Sequence, residues 1–166
     1  VWPPRLTLGN KNLGDVWRHH LLAGSEITDE LVPFHKLTQW LTYSLLEPLQ
    51  EAGFQVQDID LLTGLPEYRN GGLFFDTGVL ELKKPDEIDA LHPVSSELIV
   101  EWRALTVILL DRLGKQLREK MCLTSAELTL HQILQGGTWG TGRKLAYKRR
   151  PDGSPPLIVE SDGTVF

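Results

Sequence analysis

The feature that most constrains the fold is a nearly uninterrupted apolar stretch in the second half of the chain. Between Leu98 and Leu110 the polar residues are Glu101, Arg103 and Thr106. The pair Ser95-Ser96 can cap a helix that starts there and continues to about Met121. A helix that is apolar nearly all round is buried on most sides. We therefore expect this helix to be the longest element and to be buried on most sides.

Two charges inside this apolar stretch need partners. Glu101 and Arg103 are two positions apart, so on a helix they point in different directions and cannot neutralise each other. A buried charge without a partner costs several kcal/mol. Glu67 and Arg69 have the opposite signs and are the partners we expect. The pattern fits either a purely structural ion pair or a functional network in which pKa values are tuned.

The composition limits the function classes. A chain of 166 residues fits a single domain, residues 1–166. A net charge of -5 argues against non-specific nucleic-acid binding, which needs a basic surface. No apolar run approaches the length of a membrane span, and a single cysteine fits a reducing compartment. A cytoplasmic location is expected.

The start of the chain is unusual. The residues Val1-Trp2-Pro3-Pro4 lack a Met and include two large apolar side chains. A free terminus is usually small and polar, and we interpret this start as a cut inside a longer protein. The chain is then expected to be the C-terminal part of a protein whose N-terminal half is missing.

Residues 33–52 form the clearest amphipathic helix. Its apolar stripe consists of Phe34, Leu37, Leu41, Leu45 and Leu49. A second line on this helix holds Lys36, Gln39 and Tyr43, which share a face that is either solvated or used for binding. Pro48 is expected to kink or end the helix near Leu46.

Residues 61–72 concentrate polar chemistry between turn-forming residues. Pro66 opens the run Glu67-Tyr68-Arg69-Asn70, and Gly71-Gly72 closes it. A helix is predicted from about Pro66 to Thr77. A carboxylate, a phenol, a guanidinium and an amide held by such a backbone are typical of a site on a scaffold. A helix start with Glu67 on the macrodipole and Arg69 in a surface pair would explain the same residues.

Two further segments are predicted to be helical. A short helix capped by Asp15 is expected at residues 15–22. The pair His19-His20 in it has no further ligand at metal spacing, so no metal or other cofactor is predicted. A helix capped by Thr124 or Ser125 should bury Leu128, Ile133 and Leu134.

The last part of the chain is predicted to be less regular. Residues 135–143 contain four glycines and indicate a loop where the backbone approaches a ligand or another segment. Residues 143–150 are strongly basic. Residues 156–166 are predicted to form a β-hairpin that turns at Asp162-Gly163. The overall prediction is a mainly α fold with a small C-terminal β-hairpin.

Five ordered motifs resemble one family. They are Phe34–Leu41, Leu62–Gly72, Glu101–Thr106, Gln135–Trp139 and Ser161–Phe166. Together they resemble the C-terminal part of the uracil catabolism protein 4 family of fungi and bacteria, whose members are longer. The resemblance implies a role in a pyrimidine route that passes through a ring-opened, ribosyl-urea type intermediate.

A more distant resemblance concerns queuosine-salvage N-glycosidases, which are helical proteins similar to DNA glycosylases. It implies that this chain is part of a helical, DNA-glycosylase-like bundle. Their catalytic aspartate corresponds to Glu67, which is one methylene longer, and their substrate-contacting lysine corresponds to Lys36. The reaction implied is hydrolysis of an N-ribosyl bond.

The physical chemistry of that reaction fits these residues. Cleavage of an N-ribosyl bond develops oxocarbenium charge, which the Glu67 carboxylate would stabilise while it aligns or deprotonates water. Lys36 or Arg143 would hold a 5′-phosphate, and Tyr68 or Trp139 would stack on the leaving urea or base. The other candidates for substrate binding are Gln39, Arg69, Glu101 and Arg103.

Two other function classes stay open. A ureide C–N hydrolase would use the same carboxylate but normally needs a metal or a cysteine, and a non-catalytic module would bind a metabolite without turnover. The expected partners are a small ribosyl or ribosyl-phosphate substrate and the missing N-terminal part, with a homodimer through an exposed apolar face as a further option. Nucleic acid and membrane are not expected as partners, and the isolated fragment should have little turnover.

Overall fold

The computed structural model describes residues 5–161 and 163–165. The α-helices are α1 (Lys36–Glu51), α2 (Tyr68–Asp76), α3 (Glu97–Met121), α4 (Leu130–Ile133) and α5 (Trp139–Arg149). The strands are β1 (Thr7–Leu8), β2 (Lys11–Asn12), β3 (Val16–Arg18), β4 (Leu31–Pro33), β5 (Leu91–Pro93) and β6 (Ile158–Glu160). Short 3-10 helices occupy His20–Leu22, Ile59–Leu61 and Pro85–Asp89, and Leu134–Thr138 form a π-helical turn.

Helix α3 is the longest element, as the sequence predicts. Ser96 caps its start, where the Ser96 hydroxyl accepts a hydrogen bond from the Ile99 N–H, and Cys122 ends it in the left-handed conformation. The helix contributes to all three apolar clusters of the described residues. Val100 packs with Trp17, Phe34 and Val165; Leu110 packs with Leu65, Phe74 and Leu134; Ile99 and Trp102 pack with Leu157.

Helix α2 lies between α3 and α5, and glycines allow the close approach on both sides. A Cβ on Gly71 would lie 2.8 Å from the Thr106 hydroxyl oxygen and from the Trp102 indole nitrogen on α3. A Cβ on Gly142 of α5 would lie 2.1 Å from the carbonyl oxygen of Arg69 on α2. The helix predicted from about Pro66 to Thr77 is present with the bounds Tyr68–Asp76, and packing on two sides fixes its position.

The predicted glycine-rich loop at residues 135–143 is wrong, because this segment is helical throughout. The buried side chains of Leu134 and Ala146 anchor it to the core at either end. Helix packing overrides the low helix propensity of glycine, about 1 kcal/mol per residue relative to alanine. Of the two alternatives for the glycines, approach to another segment is confirmed at Gly142.

The predicted helix at residues 15–22 is also wrong. Residues Val16–Arg18 form β3, which pairs antiparallel with β4 and places Trp17 opposite Val32. The Trp17 side chain joins the cluster of Phe34 and Val100, and the Asp15 carboxylate binds Arg103 and the N–H of Lys36 instead of capping a helix at residues 15–22. Long-range packing therefore decides the local structure here.

Helix α1 differs from expectation in two respects. It continues past Pro48 to Glu51. Pro48 has no N–H to donate to the Ser44 carbonyl, and the helix tolerates this loss at an exposed residue such as Ser44. The predicted apolar stripe is only partly buried. Phe34 is in the core, whereas the later leucines, Leu41, Leu45 and Leu49, are exposed.

The C-terminal part confirms a mainly α fold with a small C-terminal strand pair, although the pairing differs from the predicted hairpin. Strand β6 pairs parallel with β5, and His92 lies opposite Val159. Leu157 just before β6 is fully buried, which draws this segment onto α3. Asp162, where the hairpin was predicted to turn, lies outside the described residues.

Helix α4 starts later than predicted, after Thr129, which forms a capping box with Gln132.

Candidate functional site

A cavity of about 1230 Å³ lies between α1, the start of α2 and the segment from α4 to α5. Helix α1 contributes one wall, which includes Lys36 and Tyr43. Residues 65 and 67–70 contribute the second wall, and His131 with Trp139 belongs to the third. A smaller cavity of about 350 Å³ near Phe75 and Pro156 is mainly apolar and shares no lining residue with the first. The larger cavity is therefore the candidate site.

Glu67 is the N-cap of α2 and lies in the cavity wall. Its Oε1 accepts the Asn70 N–H at 2.6 Å, and its Oε2 accepts the Arg69 N–H at 3.0 Å. Its residue exposure is 8%, and burial raises the pKa of the carboxyl while the two N–H groups, Arg69 and Lys36 oppose the rise. Each carboxylate oxygen has a second lone pair, so the cap leaves acceptor capacity for a ligand or water.

Asn70 extends the polar wall next to Glu67. Its amide nitrogen donates to the Leu65 carbonyl at 3.1 Å, which identifies the other amide atom as oxygen, because a carbonyl can only accept. This amide oxygen is buried and has no hydrogen-bond partner among the described residues. The sequence motif includes Asn70, but its side chain was not among the predicted site residues.

Lys36, the first residue of α1, also lines the cavity. Its exposure is 8%, yet no hydrogen bond or ion pair of its ammonium occurs within residues 5–161 and 163–165. Burial lowers the pKa of Lys36, and Arg103 and Arg69 add to this effect while Glu67 and Asp15 oppose it. The structure thus brings together the two residues that the resemblance singles out, Glu67 and Lys36.

Arg69 stacks on two aromatic rings at the cavity wall. Its guanidinium carbon lies 4.4 Å from the centre of the Tyr68 ring and 5.0 Å from that of the Trp139 ring. Its Nη1 lies 3.8 Å from Oε2 of Glu67. Arg143 also stacks on Trp139, at 5.8 Å from its ring centre. Arg143 is exposed and does not line the cavity. Four predicted site residues thus form one stacked array.

The charged pair predicted for α3 has a different partner. Arg103 is fully buried and donates two hydrogen bonds to Asp15, not to Glu67. Burial alone would raise the pKa of Asp15, but the hydrogen bonds and charge of Arg103 outweigh it and keep that pKa below its usual value. Glu101 is only half-buried and forms no salt bridge with Arg69 or any other described residue. Neither Arg103 nor Glu101 lines the cavity.

The Gln39 side chain forms its hydrogen bonds with other parts of the protein. Its amide oxygen accepts hydrogen bonds from the Thr63 N–H at 2.7 Å and the Thr63 hydroxyl at 3.0 Å, and its amide nitrogen donates to the Phe34 carbonyl. Tyr43 donates to the Thr63 carbonyl at 2.8 Å, and burial raises the pKa of Tyr43 to about 12. Both side chains fasten α1 to the segment that leads into Glu67.

His131 is a cavity residue that the sequence did not reveal. Its Nδ1 lies 2.9 Å from the Thr129 hydroxyl, and its ring stacks on Tyr43 at 5.7 Å. Burial lowers the pKa of His131, which favours the neutral ring. A single histidine near the start of a short helix carries no pattern that distinguishes it from a structural residue.

Metal sites and membrane-spanning helices are two further features that bear on function. In the described part of the chain, no cluster of three or more His, Cys, Asp or Glu residues is arranged to hold a metal ion. Across the same residues, no helix is both long and apolar enough to cross a membrane.

Comparison with known proteins identifies relatives over the whole chain. The chain is 46% identical over 169 residues to Protein urg3 of Schizosaccharomyces pombe. It is 42% identical over 189 residues to Uracil catabolism protein 4 of Lachancea kluyveri. The chain spans 41% and 42% of the length of these relatives. No solved structure matches.

These matches confirm the resemblance to the uracil catabolism protein 4 family, whereas the resemblance to queuosine-salvage glycosidases stays a prediction. The family model that matches residues 1–166 carries the description "Protein of unknown function (DUF1688)". The chain belongs to this family.

Proposed function

We propose that this chain acts in uracil catabolism and contributes the catalytic centre for hydrolysis of an N-ribosyl bond in a ribosyl-urea type intermediate. The name of the Lachancea kluyveri relative supports the pathway. The observation that carries the reaction is the position of Glu67, a buried carboxylate in the wall of a large cavity with Lys36 and Arg69 as neighbouring cations.

The environment of Glu67 suits a carboxylate that must stay charged near a developing cation. Burial favours the neutral acid, but two backbone N–H groups at the positive end of α2 favour the ionised form. In a site of low dielectric constant, an ionised carboxylate stabilises an oxocarbenium ion more than it would in water. The helix start thus serves both as a cap and as support for the charge.

The proposed reaction is a simple hydrolysis. The bond between the sugar C1′ and the urea nitrogen breaks, and its electron pair goes to the nitrogen. Water attacks C1′, and the Glu67 carboxylate aligns the water and accepts its proton. That proton is then transferred to the leaving nitrogen, which yields free ribose, or its phosphate, and urea. No oxidant, reductant or further co-reactant is needed.

The remaining cavity walls suit the two parts of such a substrate. A volume of about 1230 Å³ accommodates a sugar with a planar leaving group. Tyr68 and Trp139 offer ring faces, although Arg69 already stacks on both rings and Arg143 also stacks on Trp139. A planar urea group would add one more member to this stacked array. Asn70 and Glu67 offer acceptor oxygens for sugar hydroxyl groups.

The test is a product assay with the natural full-length protein. Ribosyl-urea and its 5′-phosphate are incubated with the enzyme, and free urea and free sugar are measured. The variant Glu67→Gln keeps the shape of the side chain but removes its charge, and should lower kcat by about 100-fold or more. The matched control is Glu51→Gln, the same change at an exposed residue at the end of α1.

Other outcomes would favour the two alternatives. Turnover that depends on an added metal, or that releases ammonia in place of urea, would support a ureide C–N hydrolase. Cys122, the cysteine such an enzyme could use, is exposed and does not line the cavity. Tight binding of the substrate without any product would support a metabolite-binding module. Full turnover by Glu67→Gln would overturn the glycosidase proposal.

A further inference from the structure

The Lys36 ammonium occupies a position that is unfavourable for a cation in the protein alone. Lys36 is 8% exposed as a residue, lies at the first turn of α1 and lines the cavity, and among the described residues no carboxylate lies within ion-pair distance of its ammonium. The first turn of α1 contains no acidic residue, and the N-terminal end of a helix is itself partially positive. A poorly solvated cation at such an end is stabilised by an anion from elsewhere.

The charges around Lys36 do not cancel. Asp15 lies nearby, but its two oxygens bind Arg103, so this pair is neutral as a unit. Glu67 faces both Lys36 and Arg69. Two cations and one carboxylate leave a single positive charge without a counter-charge on this side of the cavity. Glu47, the other acidic residue of the lining, is exposed and lies eleven residues further along α1.

The start of α1 is held rigidly, which separates Lys36 from an ordinary flexible surface lysine. Its backbone N–H donates to Oδ2 of Asp15 at 3.0 Å. His35 before it is in the left-handed conformation with φ 47°, and the backbone N–H groups of Phe34 and His35 both donate to the Asp15 carbonyl. The buried Asp15–Arg103 pair thus positions the first turn of α1 at the cavity.

We propose that Lys36 and the first turn of α1 form a subsite for an oxyanion of the ligand, either a phosphate monoester or a carboxylate. An oxyanion there supplies the missing negative charge and accepts charge-assisted hydrogen bonds from the ammonium. The subsite deepens the proposed function, because Lys36 lines the same cavity as Glu67. The Glu67 carboxylate acts at the reacting carbon, and the Lys36 ammonium holds the anionic group of the same ligand.

The test measures binding and does not require turnover. Ribose 5-phosphate, ribonate and ribose are titrated into the natural full-length protein by calorimetry, so that phosphate, carboxylate and neutral sugar are compared. Lys36→Met should weaken binding of the preferred anion by about tenfold or more, the loss expected for a charge-assisted hydrogen bond. Binding of ribose should change little. The control Lys144→Met removes an exposed lysine of α5 that does not line the cavity.

A second measurement uses the wild-type protein, so that the result does not depend on how the variant folds. Reductive methylation labels lysine amines, and mass spectrometry follows the labelling of each one. The preferred anion should protect Lys36 and leave Lys144 unaffected. Equal anion affinity of Lys36→Met and the wild type, or unprotected labelling of Lys36 at saturating anion, would overturn the subsite.

The two proposals fail in different ways. If anion binding depends on Lys36 but no urea is released, the subsite stands and the glycosidase reaction fails. If urea is released while neither ribose 5-phosphate nor ribonate binds more tightly than ribose in any variant, the reaction stands and the subsite fails.

Discussion

The guanidinium of Arg103 binds both carboxylate oxygens of Asp15, with Nη1–Oδ1 and Nη2–Oδ2 distances of 2.8 Å, although the two residues are 88 positions apart in the sequence. The pair is fully enclosed, and Oδ1 also accepts a hydrogen bond from the Trp17 indole at 2.7 Å. The same carboxylate orients the start of α1 through the Lys36 N–H. The pair thus links the central helix, a β-strand and the cavity wall.

Loss of one partner should be far more damaging than loss of both. Arg103→Met leaves the Asp15 carboxylate buried and uncompensated, and should lower the free energy of unfolding by about 3 kcal/mol or more. The control Arg112→Met changes an exposed residue of the same helix and should have an effect within about 0.5 kcal/mol. Urea unfolding measures both. An unchanged unfolding midpoint in Arg103→Met would show that the pair contributes nothing.

The double variant Asp15→Leu with Arg103→Met separates the pair from its parts. Replacement of both charges by apolar groups should recover much of the stability lost in the single variant. The pH dependence gives a further check. Because Arg103 lowers the pKa of Asp15, the stability from this group is present above its ordinary pKa of 3.8 and is lost as the pH falls through the lower folded value. The double variant should lack this loss.

Two glycines of α5 should respond in opposite directions to the same substitution. A Cβ on Gly142 would meet the Arg69 carbonyl oxygen at 2.1 Å, and this backbone atom can move only if α2 and α5 separate. Gly142→Ala should therefore destabilise the protein by about 1–3 kcal/mol. A Cβ on Gly140 meets open space, so Gly140→Ala should stabilise it by about 0.5–1 kcal/mol through helix propensity. Thermal unfolding of the two variants measures the difference, and equal shifts would contradict the close packing.

Features set by local interactions could be predicted from the sequence, whereas features set by contacts between distant residues could not. Helix α3 was predictable because its apolar run and its Ser96 cap are local signals. The Asp15–Arg103 pair was not, since no local pattern connects residues so far apart, although the need of Arg103 for an acidic partner was evident. In the site, Glu67 and Lys36 stand in recognisable motifs. The part of the cavity wall formed by His131 depends on the packing of α4, which the sequence does not encode in a short pattern.

The apolar stripe of α1 that contains Leu41 and Leu45 is exposed in this chain, and we expect other polypeptide to cover it in the longer members of the family. Leu41 and Leu45 are 54% and 45% exposed, and a helix of this length gains most of its stability from a packed apolar face. More than half of each relative lies outside the region that matches this chain. We expect polypeptide from that part to cover the stripe. Hydrogen exchange should then be much slower in α1 of the full-length Lachancea kluyveri protein than in the 166-residue chain.

Two results would contradict this assignment. Equal exchange of α1 in both proteins would leave the stripe uncovered. A dimer of the 166-residue chain that dissociates on dilution, and that Leu41→Glu abolishes, would identify a second copy as the covering surface. Sedimentation at several concentrations distinguishes these outcomes.

The Lys36 ammonium should make stability rise with pH. Burial lowers its pKa; Arg103 and Arg69 reinforce the shift, and Glu67 and Asp15 oppose it. Between the lowered folded value and the ordinary value of 10.5, the unfolded chain therefore binds more protons than the folded protein. The free energy of unfolding rises with pH in that window.

Lys36→Met tests this linkage. The variant should be at least as stable as the wild type at neutral pH, because it removes a buried charge without a partner, and its stability should rise less with pH. Urea unfolding at a series of pH values, with Lys144→Met as the exposed control, gives the comparison. The same slope in Lys36→Met and the wild type would show that the ammonium is solvated in the folded state.

The pH profile of turnover should report the ionisation of Glu67. Burial raises the pKa of this carboxyl above its ordinary value of 4.5. The N–H groups of Arg69 and Asn70 oppose the rise, as do the charges of Arg69 and Lys36. If the ionised form is needed, kcat/KM rises with pH through the raised pKa and then levels off. Glu67→Asp keeps the charge and a side chain suited to an N-cap, but shortens the reach by one methylene. It should retain partial activity with a similar rise, whereas Glu67→Gln should show low activity without it. If the acidic limb of the profile persists in Glu67→Gln, the group that titrates is not Glu67, and the carboxylate serves only as the cap of α2.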